Sequence, residues 1–465
     1  MGSDGSCGIT TRPAEPRDAR VVSRFYVDAY TPRDGGSARD HYPFVQLLEP
    51  VSLRRELERR DLCWVVAEME DRVVGVVGST RSAPWAADRV SEFFGLVVDR
   101  SVRRAGVATA MIRYACGVLD ETTDVMFAET RTAGAGGWGA FRKCGFTPYG
   151  FEPFAHTTPA GSEPMLFLGR LSERVRRARR TPTAPTEGVR RLAAPVLEAA
   201  RLEIDRRAVV STEHDLVRRG PVPLVVADSR VRARRLQRAW TEGSPHRSGV
   251  VGLDRYQGVD RRTDRFSTRW LVAEHRGRAV GWTRVAFDRI DQRARILRVD
   301  RRSTGLESEI LAGVVATLSR EAAAAPLTAV VDVRVDNRRL QAMLEDLGFF
   351  PTVYYPRLLA TDGGRLDAVQ YTRTWGREFA VSKEWAEALP WPDAGRVIEA
   401  VRSPRPAATS PCRAMRDTSS RSASRGTASP PLRGTGGIPR LPGSLRPAAR
   451  VQGVLGPMLD RRGGD

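Results

Sequence analysis

The stretch VVDRSVRRAGVATAMI, Val97 to Ile112, crowds Arg103, Arg104, Gly106 and Ala108 into the turn between a β-branched run and an apolar helix. A plain strand-to-helix connection needs a turn and a cap, and has no use for two arginines beside residues with little or no side chain. A turn whose successive backbone N–H groups point inward, leading into a helix N-terminus, makes an anion-binding concavity. Over Arg103, Arg104, Ala105, Gly106, Val107 and Ala108 the small residues would let an anion approach the backbone, with Arg103 at the mouth. A pyrophosphate is the natural guest. Upstream, Glu92 opens the same strand, and alternation puts Glu92, Phe94 and Leu96 on one face, where apolar surroundings would raise a carboxylate toward the range of a general base. The plain alternative is a solvated glutamate at a strand's start.

These residues need elements to hold them. DLCWVVAEMEDRVVGVVGSTRS reads as a hairpin, VSEFFGLVVD as a strand, GVATAMIRYACGVLD as a helix, DVMFAETR as a strand, GWGAFRKCGF as a short helix and EPMLFLGRL as a closing strand. That is an α/β domain over residues 1–173. Residues 174–187, with Pro182 and Pro185, read as a linker. From about Phe266 the plan repeats, giving a second domain over 188–400 whose stretch 188–265 would supply its opening elements. Residues 401–465 are rich in Arg, Pro, Ser and Gly and too poor in core-forming residues to fold, so a disordered tail is expected there.

The order of elements and the Arg-x-x-Gly-x-Ala turn resemble the GNAT superfamily of acyl-CoA-dependent N-acyltransferases, and FRKCGF, with Gly145 and Phe146, matches the family's short helix ending in Gly-Phe. The resemblance implies a tandem of two GNAT-like domains, each a mixed, mostly antiparallel sheet flanked by helices, and acetyl-CoA as acyl donor. It further implies Glu92 as base, and a backbone N–H at Val97 or Val98 facing the thioester oxygen. The family often has an asparagine after its fifth strand and a tyrosine before Gly-Phe. Those positions are Gly134 and Phe141 in the first copy, Asn337 and Leu344 in the second. Without that tyrosine, the acid candidates are Tyr149, just past the Gly-Phe turn, and His156, with Glu152, in the long segment YGFEPFAHTTPAGSEP, whose aromatics could wall an acceptor pocket. Glu129 and Arg131 could grip the acceptor or form one exposed ion pair.

The second copy is less well equipped. Aligning Asp300 with Asp99 makes its loop to Gly305 two residues shorter, sets Glu307 where Ala108 stands and Arg293 where Glu92 stands. A carboxylate repels a diphosphate by about 1 kcal/mol or more even in water at contact distance. CoA binding is therefore expected in the first copy alone.

Composition narrows the remaining classes. The chain has 465 residues, 41% of them hydrophobic, with no run of apolar residues long enough to span a bilayer and no leader-like start, so a cytoplasmic protein without a membrane partner is expected. Five scattered cysteines, without C-x-x-C spacing, encode neither a disulfide framework nor a metal site. Of the net charge of +20, the tail holds twelve Arg against three Asp without interleaved aromatics, which argues against nucleic acid. The expected acceptor is a small-molecule amine. A protein or peptide amine is the alternative, and a CoA-sensing or interaction module without catalysis is the non-enzyme reading.

Overall fold

Proline cannot donate to a strand ladder, and the strand that ends on Pro13, β1 (Thr10–Pro13), forms one outer edge of the sheet. The coordinates are a computed structural model of the chain and describe residues 8–31, 36–42, 44–81, 89–132, 135–158, 161–176, 185–203, 225–241, 246–247, 249–251, 266–301, 306–361, 364–377 and 391–401. The chain divides into two units, Met1–Pro406 and Ala407–Asp465, and every described residue lies in the first. The expected tail falls outside the described residues except for Val401, as do Gly134 and Gly305.

Helix α1 (Ala19–Tyr30) buries Ala19, Val22, Ser23 and Tyr26, the one-turn spacing of an amphipathic helix. With α2 (Ala38–His41) and α3 (Pro50–Leu57) it covers one sheet face through Leu53, Trp64, Val66, Val76 and Val97. Strands β2 (Leu62–Met69), β3 (Arg72–Thr80) and β4 (Val90–Val98) then run antiparallel. Helix α4 (Val107–Leu119) crosses to β5 (Val125–Arg131), which pairs parallel with β4. Gly75 on β3 gives α4 its close approach: a Cβ there would stand 2.9 Å from the Met111 methyl. Helix α5 (Ala135–Lys143) leads to the hairpin of β6 (Thr147–Thr158) and β7 (Gly161–Leu171), with β7 beside β5.

Beyond β7 lie α6 (Glu173–Arg176), α7 (Glu187–Ala199), β8 (Val225–Asp228) and α8 (Arg230–Thr241), followed by two short strands, β9 (His246–Arg247) and β10 (Val250–Val251). Then come β11 (Phe266–His275), β12 (Arg278–Asp288), β13 (Arg293–Arg301), α9 (Glu307–Ala322), β14 (Leu327–Arg334), α10 (Arg338–Asp346), β15 (Phe350–Thr361), β16 (Gly364–Trp375) and α11 (Pro392–Ala400). The order β12-β13-β14-β16-β15, parallel only at β13–β14, repeats β3-β4-β5-β7-β6. Gly281 repeats the role of Gly75, since a Cβ there would stand 2.2 Å from the Ile310 Cδ1. Within the 188–265 stretch, β8 pairs with β11 and α8 packs beside it.

The two halves share one sheet. Gly150 of β6 pairs with Val353 of β15, so closely that a Cβ on Gly150 would fall 2.3 Å from the Thr352 carbonyl oxygen. Helix α7 packs on both of these strands, and α11 returns to β6, where Trp391 stacks on Trp138 at 5.8 Å. Buried ion pairs cross the seam: Arg293 to Glu152 at 2.7 Å, and Arg365 to Asp124 at 3.0 Å. The sheet thus runs on across the expected 174–187 linker, part of which is α6. Cys63 and Cys116 are buried free thiols, and burial pushes the Cys116 thiol up to about 12.

Candidate active site

Strand β4 carries the site, and a one-residue bulge shapes it. Its register with β3 slips between Val76 and Gly78, and Gly95 sits at φ +62°, a conformation in which a side chain is disfavoured. The Tyr26 hydroxyl donates to the Gly95 carbonyl at 2.6 Å, and a Cβ on Gly95 would fall 2.5 Å from that same oxygen. The bulge corrects one expectation. Glu92 and Phe94 do share a face, with Phe94 edge-on to Trp64 in the core under α1, but Leu96 packs in the opposite core and Val97 takes its place.

Beyond the bulge β4 and β5 part. They are paired from Val90–Val125 to Phe93–Ala128, and on their facing sides no strand among the described residues pairs with Leu96–Val98 or Glu129–Arg131. The Asp99 amide donates to the Val74 carbonyl at 2.9 Å, so by antiparallel alternation Val98, opposite Gly75, turns its N–H and C=O away from β3 and toward the opening. Between Val97 and Val98, it is Val98 whose amide faces the cleft. Arg103 reaches back to the Val98 carbonyl through Nε at 3.4 Å.

The loop expected to hold an anion leads from β4 into α4. Arg104 at φ +72° and Gly106 at φ +89° are left-handed positions on either side of Ala105, and Gly106 caps α4 with no side chain bonded to the helix N-terminus. The first N–H groups of a helix have no partner within it, so those of α4 remain available to an anion. Residues 103–106 are exposed, and a Cβ placed on Gly106 meets nothing within 4 Å. Val107 is buried and anchors the helix, and Ala108 is half-buried. The nearest carboxylate is committed elsewhere: Asp99 accepts from the Ser101 amide at 2.9 Å and its hydroxyl at 2.8 Å, and these bonds hold it below the usual carboxylate range.

Glu92 is half-buried, its amide bonded to Thr80 Oγ1 at 2.9 Å and its position in register with Phe127. The acid candidates lie elsewhere. Both Tyr149 and His156 are on β6, and β5 and β7 separate that strand from β4, three strand spacings of about 4.8 Å. Tyr149 is 1% exposed, packed on Gly169, and burial drives its phenol well above the usual range, so it does not serve as a proton donor at β4. His156 Nδ1 is 4.0 Å from Asp291 Oδ1, at the seam between the halves. Glu152 is buried and ion-paired with Arg293 at 2.7 Å. Glu129 is half-buried on β5, and Arg131 is ion-paired with Glu163. Phe141 is a core residue edge-on to Phe93.

A contribution not evident in the sequence comes from α1. Tyr26, Tyr30, Tyr42 and Phe44 form a chain of ring contacts beside Gly95, the Tyr30 and Tyr42 rings being 4.2 Å apart. The spacing of Val22 and Tyr26 was the available signal.

The C-terminal half differs at each matching place. With Gly281 aligned on Gly75, and the same one-residue bulge in β13, the residue matching Glu92 is Arg295 rather than Arg293. Arg295 is buried and pairs with Asp332 at 2.6 Å. Glu307 is buried at the start of α9 against Arg301 at 2.6 Å, its carboxyl raised by burial. Asn337 caps α10, accepting from the Leu340 amide at 3.1 Å, and Leu344 is fully buried.

Residues 26–146 match the model of the acetyltransferase (GNAT) family. No curated protein matches the chain. Solved structures similar to part of it include spermidine N-acetyltransferase from Vibrio cholerae in complex with CoA and spermine, at 14% identity, covering 35% of this chain and 95% of that one, with a TM-score of 0.30. Ribosomal-protein-alanine N-acetyltransferase from Brucella melitensis gives 19%, 35%, 99% and 0.30. An N-acetyltransferase from Staphylococcus aureus Mu50 gives 16%, 36%, 99% and 0.31. No helix among the described residues is long and apolar enough to cross a membrane.

Proposed function

We propose, from the premise that residues 26–146 form an acetyltransferase (GNAT) domain, that the N-terminal half transfers the acetyl group of acetyl-CoA directly to the amine of a small molecule in a ternary complex. The observation that carries this reading is the cleft between β4 and β5 together with the open, uncapped turn at Gly106. Arg103 and the amides through Ala108 hold the diphosphate, and the pantetheine arm lies along the free side of β4. The Val98 amide faces the thioester oxygen as charge builds there, a preorganised donor that needs no reorganisation during reaction. Glu92 takes the proton of the incoming ammonium. The amine nitrogen then bonds to the acyl carbon, the C–S bond breaks, and the second proton that the nitrogen sheds on becoming an amide goes to solvent, which protonates the departing thiolate.

Tyr26 and Tyr42, with Tyr30 packed against Tyr42, form a buried support behind the bulge. The C-terminal half is a degenerate copy of the same fold that binds no CoA; what supports this is Glu307, a buried carboxylate paired with Arg301 at the start of α9, the helix end a diphosphate would need. A screen of acyl-CoAs against amine pools, read as free thiol release, tests the reading. It predicts turnover with acetyl-CoA and a low-molecular-weight amine; no acyl-CoA binding to the intact chain would overturn it.

A further inference from the structure

The cleft that is open in the first half is filled in the second. Strands β13 and β14 are paired from Arg293–Thr328 to Ile296–Val331 and then part, as β4 and β5 do. Into that opening the chain inserts its own backbone. His246 and Arg247 pair antiparallel with Arg301 and Asp300 on one lip, and Val250 and Val251 pair antiparallel with Val333 and Asp332 on the other. The Arg334 amide donates to the Gly249 carbonyl at 3.0 Å, and a Cβ on Gly249 would fall 2.4 Å from the Asn337 Nδ2. Asn337, the residue in the position of the family's asparagine, thus packs on peptide.

We propose that the β13–β14 cleft is a peptide-binding site whose resident ligand is this chain's own β9 and β10, held by strand addition on both lips. A strand edge has one set of outward N–H and C=O groups, so a seated peptide and a pantetheine arm exclude each other. The small residue at 249 is the specificity element, because only glycine leaves room for the Asn337 side chain. The proposal stands on strand pairing and goes beyond the activity assigned to the first half.

Hydrogen exchange on the intact chain tests it. The amides of Val251 and Arg334, which lie in the bonded register set by the Arg334–Gly249 contact, should exchange at least about 100-fold more slowly than in an unstructured chain. In Gly249→Val, protection should fall at Val251, Asp332 and Arg334 while α4 keeps its own. A synthetic peptide of the wild-type sequence 244–253 should then bind the variant and not the wild type. Unprotected exchange at 251 and 334 in the wild type, or a second equivalent of CoA in wild-type calorimetry, would overturn the proposal. A result of no CoA at all with slow exchange would sink the proposed function and leave this site standing.

Discussion

At the scale of single residues, the site depends on a few side chains and on the lack of one. If Glu92 is the base, Glu92→Gln keeps shape and hydrogen bonding but removes the proton acceptor. Turnover should then fall by roughly 10²–10⁴ with CoA affinity preserved, and the acid limb of the pH profile should go with it. Steady-state kinetics across pH would show this, and an unchanged profile would move the role to Glu129, on the facing strand β5. At Gly106 the open space is the function: Gly106→Glu adds a charge where a diphosphate must approach and strains a φ of +89° by roughly 1–2 kcal/mol. Calorimetry should find CoA binding lost while the fold remains. The loop was legible in the sequence because two arginines beside Gly106 and Ala108 have no packing purpose. Leu96 was not, since it lies across a bulge and one extra residue inverts every alternation argument beyond it; nor was Arg295, since matching Asp300 to Asp99 is two residues out of the strand register.

At the scale of elements, α1 fixes the bulge through a single hydroxyl. Tyr26→Phe removes the 2.6 Å bond to Gly95 and leaves that carbonyl without its donor. A stability loss of about 1 kcal/mol in urea unfolding is expected. The larger effect should be on kcat, roughly tenfold to a hundredfold, because the Val98 amide depends on the bulge for its aim. The start of α1 is tied down by Asp18, which takes Arg12 at 2.7 Å and the Glu15 amide at 2.8 Å. Burial raises that carboxyl, but the bonds from Arg12 and Glu15 outweigh it and hold it below the usual range. Its unfolded value is about 3.9, so the stabilisation is full above pH 4 and is lost as pH falls through the folded value. Asp18→Asn should therefore cost about 1–3 kcal/mol at pH 7, and the difference from wild type should shrink in denaturant titrations near pH 3. The strands and crossover helices were readable from periodicity. The pieces β9 and β10 were not, being two residues each with no period to detect.

At the scale of the whole described unit, the seam is the least legible feature and the most consequential for stability. The pairing of Gly150 with Val353 joins residues far apart in sequence, and no local pattern announces it. Nor does any announce that Glu152, which reads as a loop residue, sits 1% exposed between Arg293 and Arg295. Removing one partner of a buried ion pair leaves the other uncompensated, so Glu152→Gln should destabilise by about 3–5 kcal/mol. Calorimetry should register that loss as a shift of one transition shared by both halves. Two separate transitions, only one of them moved, would contradict a common sheet.

A seam of this kind sets unequal limits on inheritance. If the second cleft does no chemistry, as proposed, a residue such as Glu307 is free to change there, whereas Gly150, Glu152, Arg295 and Val353 are not free to change independently of one another. A truncation that spares every residue of the active half would still bare the side of β6 that β15 covers, an unpaired strand edge open to other chains. Loss of the silent copy would then appear as insoluble protein rather than as a slow enzyme.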